Sequence, residues 1–179
     1  AESFAMSLQG EGRLLYIATM YPYKWNTTEI DPETMQRIER HRAMRADKGF
    51  DTVECYRHVE HIVAKRQDVL LLECMSNLLA NEMYLEPDSN AGSDMAETMS
   101  PVSNKIVQAL IDLSTRVQEL VIVTNDVFSD GGSLTYDEST REYVKNLAEI
   151  NCALAREAAT VTEVVCGIPV IVKKNHPMG

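Results

Sequence analysis

The run Val69-Leu70-Leu71-Leu72-Glu73 restricts the fold of this chain more than any other segment. Its apolar residues do not alternate with polar ones, which is typical of a strand buried on both faces of a parallel sheet. Helices cover both sides of such a sheet. The run therefore predicts an α/β protein in which Glu73 stands at the end of a central strand.

Strands and helices alternate along the rest of the chain. Apolar runs predict further strands at residues 13–19, 51–55 and 120–126. From Ser103 onwards, apolar residues recur at three- and four-residue steps, the period of an amphipathic helix. Residues 161–166 and 170–173 predict two strands joined around Gly167. We therefore expect an α/β fold with a mostly parallel sheet flanked by helices and an antiparallel hairpin at its C-terminal edge.

The remaining segments complete this alternation. Further helices are predicted for residues 1–8, 56–65, 76–84 and 140–159. Another helix carries His41, and Asp31 or Thr34 is expected to cap its N-terminus. The acidic stretch 86–100 and the Gly-containing stretch 128–137 have no periodicity and predict loops.

Composition argues against several classes of protein. The 179 residues contain 17 Lys and Arg against 27 Asp and Glu, a formal net charge of −10. This balance argues against a protein that binds nucleic acid or an anionic membrane surface. No apolar run approaches the ~18 residues of a membrane span. The four cysteines lie far apart, so we expect free thiols and a cytoplasmic protein of one domain.

The window from Arg37 to Lys48 is a basic island in this acidic chain, with five basic residues against two acidic ones. On a helix, Arg37, His41 and Arg45 lie one above another, because their spacing is i, i+4 and i+8. Positive neighbours disfavour protonation of the imidazole, and guanidiniums bind phosphate through forked hydrogen bonds. A neutral nucleophile beside an anion clamp suits phosphoryl or nucleotidyl transfer. A solvated basic helix with an incidental histidine is the alternative that this stretch alone leaves open.

Polar residues stand where the predicted strands end. Thr19, Glu54 and Glu73 occupy three of these positions, and Asn125 with Asp126 follows another strand. In parallel α/β sheets the ligand crevice lies at the carboxyl ends of the strands, so these side chains are expected to share a site with the basic helix. A carboxylate at this position suits magnesium, and Glu73 is the candidate ligand.

Cys55, His58 and His61 form a second group of metal-binding residue types, and a zinc site has to be considered there. On one helix, Cys55 and His61 would point well away from each other. We therefore favour a surface helix that carries two histidines.

A series of short motifs runs along nearly the whole chain. It comprises Tyr16-Ile17-Ala18-Thr19, Arg37-Ile38 with His41-Arg42 and Arg45, Thr52-Val53-Glu54-Cys55, Leu71-Leu72-Glu73-Cys74, Val123-Thr124-Asn125-Asp126-Val127, and Asn151 near Ala155. Together, in order and spacing, these motifs resemble the adenosylcobinamide kinase/adenosylcobinamide-phosphate guanylyltransferase family of cobalamin biosynthesis. The combination is far more specific than any single motif.

The resemblance implies a RecA-like P-loop fold and two activities. One phosphorylates the aminopropanol hydroxyl of adenosylcobinamide. The other transfers GMP from GTP to adenosylcobinamide phosphate through a GMP-histidine intermediate, which falls on His41. It also implies GTP or ATP as substrate, with Mg²⁺, and a homotrimer. The nucleotide contacts that it implies are Thr19, Met20, Tyr21, Arg42, Ala43, Met44, Arg45, Glu54 and Glu73.

The family's P-loop, G-x-x-x-x-G-K-[ST], is expected a few residues before Ala1. We therefore interpret residues 1–179 as a single nucleotide-binding α/β domain whose first strand and P-loop precede this segment. Residues 128–131, Val144-Lys145 and Cys152 depart from the family pattern. We expect these changes to affect the corrinoid or kinase half more than the guanylyl half.

Two other functions remain open at this point. One is a plain P-loop small-molecule kinase in which His41 only positions phosphate. The other is a non-catalytic binding module whose basic helix docks an acidic partner. Covalent labelling by GTP would exclude the binding module, whereas salt-sensitive protein binding without nucleotide would favour it.

Overall fold

A computed structural model of the chain describes residues 1–85, 101–127 and 136–175. The main sheet is built from β1 (Leu14–Ala18), β2 (Phe50–Glu54), β3 (Val69–Glu73) and β4 (Glu119–Ile122). The four strands are parallel and lie in the order β2-β1-β3-β4. The α/β fold with a parallel sheet is therefore confirmed, and β3 has the boundaries that its apolar run predicts.

Helices cover both faces of this sheet. The described helices are α1 (Glu2–Leu8), α2 (Pro32–Arg45), α3 (Met75–Tyr84), α4 (Val102–Thr115) and α5 (Glu138–Glu157). Leu15 and Leu70 belong to the larger core, which α3, α4 and α5 cover. Tyr16 and Leu71 point to the other face and pack with Ala5 of α1. Alternate strand residues therefore supply two cores, as a sheet buried on both faces requires.

All four cysteines are free thiols, as predicted. Within residues 1–85, 101–127 and 136–175, no helix is both long and apolar enough to cross a membrane. The predicted loop 86–100 and most of the predicted loop 128–137 lie outside the described residues.

The helix that carries His41 begins at a capping residue, as predicted. The Asp31 carboxylate accepts the Thr34 hydroxyl at 2.5 Å and the Glu33 backbone N–H at 3.4 Å. The hydrogen bond from Thr34 is the main reason why the pKa of Asp31 lies below its usual value. Pro32 occupies the first helical position, where a missing N–H has no intrahelical role. The cap therefore fixes where α2 starts.

The helix predicted for residues 56–65 is wrong. Only a single 3₁₀ turn, Val59–His61, is present there. His58 has a left-handed backbone with φ 56°, and its N–H donates to the Glu82 carboxylate at 2.7 Å. The Tyr56 carbonyl oxygen accepts the Asn81 side-chain amide at 2.9 Å. The left-handed backbone of His58 interrupts a helix here, and the Tyr56 carbonyl oxygen, which such a helix would use in its first turn, accepts from Asn81 of α3 instead.

The C-terminal hairpin forms as predicted but does not extend the main sheet. Strands β5 (Thr160–Val165) and β6 (Ile168–Lys174) pair only with each other in the described residues, as a separate two-stranded sheet. Cys166 and Gly167 both have positive φ, as a tight two-residue hairpin turn requires. The Lys173 ammonium group donates to two carbonyl oxygens at the end of α5. This tether holds the hairpin beside α5 instead of at the sheet edge.

Asp68 connects the amino ends of β1 and β3. Its buried carboxylate accepts the Arg13 guanidinium at 2.5 Å, the Arg13 backbone N–H at 3.0 Å and the Lys65 N–H at 2.8 Å. Burial alone would raise the pKa of Asp68, but these hydrogen bonds outweigh it and lower the pKa to about 2.

Gly12 must remain small, because a Cβ there would lie 1.8 Å from the Gln67 carbonyl oxygen.

We predict that Asp68→Asn lowers the free energy of unfolding by about 1–3 kcal/mol at neutral pH, since a buried charged acceptor is lost. A carboxyl group with a lowered folded-state pKa stabilises the protein above its unfolded-state pKa and loses that contribution as pH falls towards about 2. The difference in the free energy of unfolding between Asp68→Asn and the original protein should therefore shrink as the pH falls from about 4 to about 2. Urea denaturation across this range measures it.

Asp47→Asn removes an exposed carboxylate and provides the control, with little expected effect. A deficit for Asp68→Asn that stays constant down to pH 2 would show that this carboxylate does not contribute through its charge.

Candidate functional site

The carboxyl ends of the strands bring together polar side chains that the sequence predicted to be neighbours. Ala18 of β1 pairs in register with Glu54 of β2 on one side and with Glu73 of β3 on the other. Residues in register project to the same face of a parallel sheet, so both carboxylates share the face that Tyr16 occupies. Thr124 and Asn125 follow β4 at this edge and bond to side chains of α5 and α3.

Thr19 is fully buried and connects the ends of β1 and β3. Its hydroxyl donates to the Cys74 carbonyl oxygen at 3.1 Å and accepts the Cys74 N–H at 3.0 Å. Its own carbonyl oxygen accepts the Asn81 side-chain amide at 2.8 Å. Thr19 therefore holds the ends of β1 and β3 together. Because its hydroxyl is already bonded to Cys74, a nucleotide that contacts Thr19 has to use other atoms of this residue.

Arg45, the last residue of α2, turns towards the sheet. It is only 5% exposed, and its guanidinium carbon lies 3.4 Å from the centroid of the Tyr16 ring, a cation–π contact. Its Nε and Nη1 atoms are buried and have no hydrogen-bond partner among the described residues. Buried donors without acceptors are unfavourable in the free protein, and a bound anion would satisfy them.

Glu73 lies close to the same tyrosine. Burial, followed by the charge of Glu73, raises the pKa of Tyr16, whereas the nearby Arg45 lowers it. The phenol therefore stays protonated and can donate a hydrogen bond. A half-buried carboxylate and a buried guanidinium thus both lie close to one aromatic ring, at the end of the central strands.

Arg42 extends this arrangement to the neighbouring strand. Its guanidinium forms an ion pair with one oxygen of Glu54, and the Tyr56 hydroxyl donates to the other oxygen at 2.9 Å. Burial, together with this hydrogen bond, raises the pKa of Tyr56. A ligand phosphate that binds Arg42 must therefore compete with a half-exposed carboxylate.

His41 is half-buried on α2, immediately before Arg42 and one turn before Arg45. Its ring makes no hydrogen bond to another described residue, so its nitrogens are available to a ligand. Arg37, one turn earlier, faces a different cavity of about 390 Å³, which Trp25 and Asp31 also line. The sequence predicted that Arg37 and Arg45 would clamp one anion beside the imidazole, but the structure turns them in different directions.

Aromatic residues continue the site beyond β1 and β2. Tyr21 packs edge to face against Tyr23 and Tyr56, with ring centroids 5.4 Å apart in each pair. Tyr21 lines both the cavity near Arg37 and a larger open cleft of about 920 Å³. Residues that line this cleft include Tyr21, Glu54, Cys55, Tyr56, His58 and His61. Met20 lines the smaller cavity, while Ala43 and Met44 are exposed on α2.

The donor set restricts which metals the chain can hold. In residues 1–85, 101–127 and 136–175, no three His, Cys, Asp or Glu side chains are arranged to bind a metal ion. Burial raises the pKa of the Cys55 thiol to about 11, whereas a zinc ligand must be a thiolate. The structure therefore gives no support to the zinc alternative. A single carboxylate such as Glu73 still suits Mg²⁺, which keeps most of its water and adds substrate phosphates.

The fold and the site together indicate a protein that binds a phosphorylated ligand. A parallel α/β sheet that presents a buried, partnerless guanidinium and two carboxylates at its carboxyl edge is suited to bind a phosphorylated ligand there. Comparison with known families matches residues 1–172 to the family described as cobinamide kinase / cobinamide phosphate guanyltransferase. The chain belongs to this enzyme family, and the resemblance noted in the sequence is confirmed. No curated protein matches the chain significantly.

We predict that Arg45→Met leaves the free energy of unfolding of the ligand-free protein within about 1 kcal/mol of the original, or raises it. Methionine fills a similar space on Tyr16, and it removes the unused donors. The same change should weaken GTP binding at least about tenfold, since a charged hydrogen bond is lost. Thermal denaturation and calorimetric titration measure the two effects.

Arg40→Met, on the exposed side of the same helix, is the matched control and should change neither quantity. A large loss of stability with unchanged GTP affinity would assign Arg45 to the core rather than to a ligand site.

Proposed function

We propose that this chain is a bifunctional enzyme that phosphorylates adenosylcobinamide and transfers GMP from GTP to adenosylcobinamide phosphate through a GMP intermediate on His41. Membership of the family supports the two reactions. The buried Arg45 guanidinium, with two unused donors one helical turn from His41, is the observation that carries the assignment. The kinase step takes its phosphate from GTP or ATP.

The guanylyl transfer proceeds as two displacements. A neutral His41 nitrogen attacks the α-phosphorus of GTP, so that a phosphorus–nitrogen bond forms and the bond to pyrophosphate breaks. A phosphate oxygen of adenosylcobinamide phosphate then attacks the same phosphorus, and imidazole leaves. Imidazole suits both steps, because it is a good nucleophile and a good leaving group.

The two arginines have different tasks in this proposal. Arg45 donates to the phosphate from the side of the sheet through Nε and Nη1, because its guanidinium is already fixed by stacking on Tyr16. Arg42 approaches from the rim and exchanges Glu54 for a phosphoryl oxygen. Each well-placed donor to charge that develops in the transition state is worth about 3 kcal/mol. The exchange at Arg42 makes its donation dependent on the bound nucleotide.

The remaining predicted contacts hold the nucleotide. Glu54 and Glu73 flank the end of β1 and can accept hydrogen bonds from base or ribose. Tyr21 has an aromatic ring at the same edge. The other proposed contacts come from the loop after β1 and the end of α2, namely Thr19, Met20, Ala43 and Met44.

Magnesium fits beside Glu73. The carboxylate is half-buried at the end of β3, and it would hold the ion directly or through water. When bound, magnesium neutralises charge on the leaving pyrophosphate. Contact with the guanosine ribose or base is the rival role for Glu73.

We predict that the full-length protein takes up label from α-labelled GTP but none from γ-labelled GTP. The adduct should be lost in acid and survive alkali, as expected of a phosphorus–nitrogen bond. His41→Ala should abolish both the label and guanylyl transfer while retaining some cobinamide phosphorylation. Autoradiography of the denatured protein, together with separate assays of the two reactions, measures these outcomes.

Gln36→Ala, an exposed change on the same helix, should label normally. Acid-labile labelling that persists in His41→Ala would assign the nucleophile to another residue. Kinase activity without any label in the original protein would instead favour the plain P-loop kinase, and salt-sensitive protein binding without nucleotide would favour the binding module.

We further propose that the chain forms a homotrimer, as the family resemblance implies, and that its C-terminal hairpin takes part. The register of β5 with β6 places three exposed aliphatic residues, Val165, Ile168 and Val170, on one face of the hairpin, together with Glu163. An apolar patch of this kind is typical of a surface that another protein covers, and here we assign it to a second copy of the chain.

Ile168→Lys combined with Val170→Lys should convert a trimer into smaller species in sedimentation velocity at micromolar concentration. Burying two ammonium groups in an interface is unfavourable, whereas the hairpin itself stays solvated. Thr162→Lys on the opposite face is the control. A monomeric original protein at the same concentration, or a trimer that survives the double change, would contradict this assembly.

A further inference from the structure

Two histidines in the large cleft have no role in the chemistry above. His58 and His61 both line this cleft, and their rings lie nearly parallel with centroids 5.7 Å apart. The Nδ1 atom of His58 lies 3.1 Å from a Glu60 carboxylate oxygen. A histidine–carboxylate pair beside an open cleft is the arrangement that proteins use to orient an imidazole towards a metal.

The backbone at His58 is held in an unusual conformation. Its φ of 56° and ψ of 53° lie in the left-handed region, which few residues other than glycine adopt. The N–H of His58 donates to Glu82 at 2.7 Å, and the Glu82 side chain is only 4% exposed. Strained residues that the surrounding structure fixes in this way cluster at functional sites. The conformation makes His58 a precisely oriented side chain on a short turn.

The contact with Glu60 determines which ring nitrogen is available. A carboxylate accepts hydrogen bonds, so the short contact places the proton on Nδ1 and leaves the lone pair on Nε2. The Lys105 ammonium group lies 3.5 Å from the same Nδ1, at the limit of hydrogen-bond distance. We therefore assign Nδ1 as the donor to Glu60. In this tautomer the Nε2 atom carries the lone pair that can coordinate a metal.

The Nε2 atom of His58 alone is not a sufficient ligand set for a free metal ion. No three suitable side chains converge in the described residues, and the nearly parallel His58 and His61 rings do not point at one common ion. A metal that arrives with most of its ligands already bound needs only one more. The cobalt of a corrinoid is such a metal, because four ring nitrogens surround it and its axial positions exchange ligands.

We propose that His58 Nε2 binds the cobalt of the cobinamide substrate as an axial ligand, with Glu60 orienting the imidazole. This inference rests on the proposed function for the identity of the substrate. The nitrogen donates its lone pair to cobalt, and the water held at that axial position leaves; nothing is oxidised or reduced. His61 stacks on His58 as part of the wall and does not coordinate.

The cleft places such a substrate beside the transfer site. It extends from His58 and His61 to Glu54 and Tyr56, and Glu54 is the residue that pairs with Arg42. Tyrosine rings and a volume of about 920 Å³ suit a large, flat macrocycle. The cleft that His58 lines also reaches Glu54, so the acceptor end of a corrinoid held at His58 can be directed towards the carboxyl edge of the sheet, where the nucleotide is proposed to bind.

Electron paramagnetic resonance of bound cob(II)inamide tests the proposal directly. An axial imidazole adds nitrogen superhyperfine splitting to the cobalt lines, whereas axial water does not. We expect the splitting in the full-length protein, and a changed pattern when its histidines carry the heavier nitrogen isotope. His58→Asn should remove the splitting, since asparagine tolerates left-handed backbone but is a poor cobalt ligand. His61→Asn is the matched control and should retain it.

Glu60→Gln provides a second variant that keeps the ligand but removes its orienting charge. We expect it to weaken cob(II)inamide binding about tenfold, as typical for such positions. Bound corrinoid without nitrogen splitting, or splitting that survives in His58→Asn, would overturn the assignment. If guanylyl transfer is intact in that case, only this inference fails; if the protein neither binds nor modifies cobinamide, the proposed function fails with it.

Discussion

The stacking of Arg45 on Tyr16 is the contact on which the rest of the site depends. It fixes the last turn of α2 against the central strand, with the guanidinium carbon 3.4 Å from the ring centroid. His41 and Arg42 belong to the same helix end, so their positions relative to Glu54 and Glu73 follow from this contact. The two unused donors of Arg45 show that stability alone does not explain it, because a buried cation without acceptors is unfavourable.

Local sequence predicted most of the elements but not the directions of all their side chains. The apolar run of β3 predicts its strand, and the polar residues at strand ends predict Glu54 and Glu73 as neighbours, because both depend on patterns within a few residues. Nothing local indicates that Arg45 turns inward, since its partner Tyr16 looks like another core residue of β1. Spacing on an ideal helix therefore predicted one clamp around His41 where the structure separates Arg37 from Arg45.

The same limit explains the error at residues 56–65. The sequence there is compatible with a helix, but Glu82 and Asn81 of α3 bind the backbone of His58 and Tyr56. Such capture by a distant element has no signature in the segment itself. It converts a predicted surface helix into a strained turn that presents an imidazole to the cleft. In the proposed function the carboxyl edge of the sheet binds the nucleotide, and this turn faces the cleft proposed for the corrinoid.

The central claim is that His41 carries GMP during turnover. Tandem mass spectrometry of the protein after brief incubation with GTP, digested under neutral to alkaline conditions, locates the adduct most directly. We expect one added GMP on the fragment ions that contain His41, and none on fragments that contain only His58 or His61. An adduct on a different residue would contradict this role of His41, as would an unmodified protein that still transfers GMP.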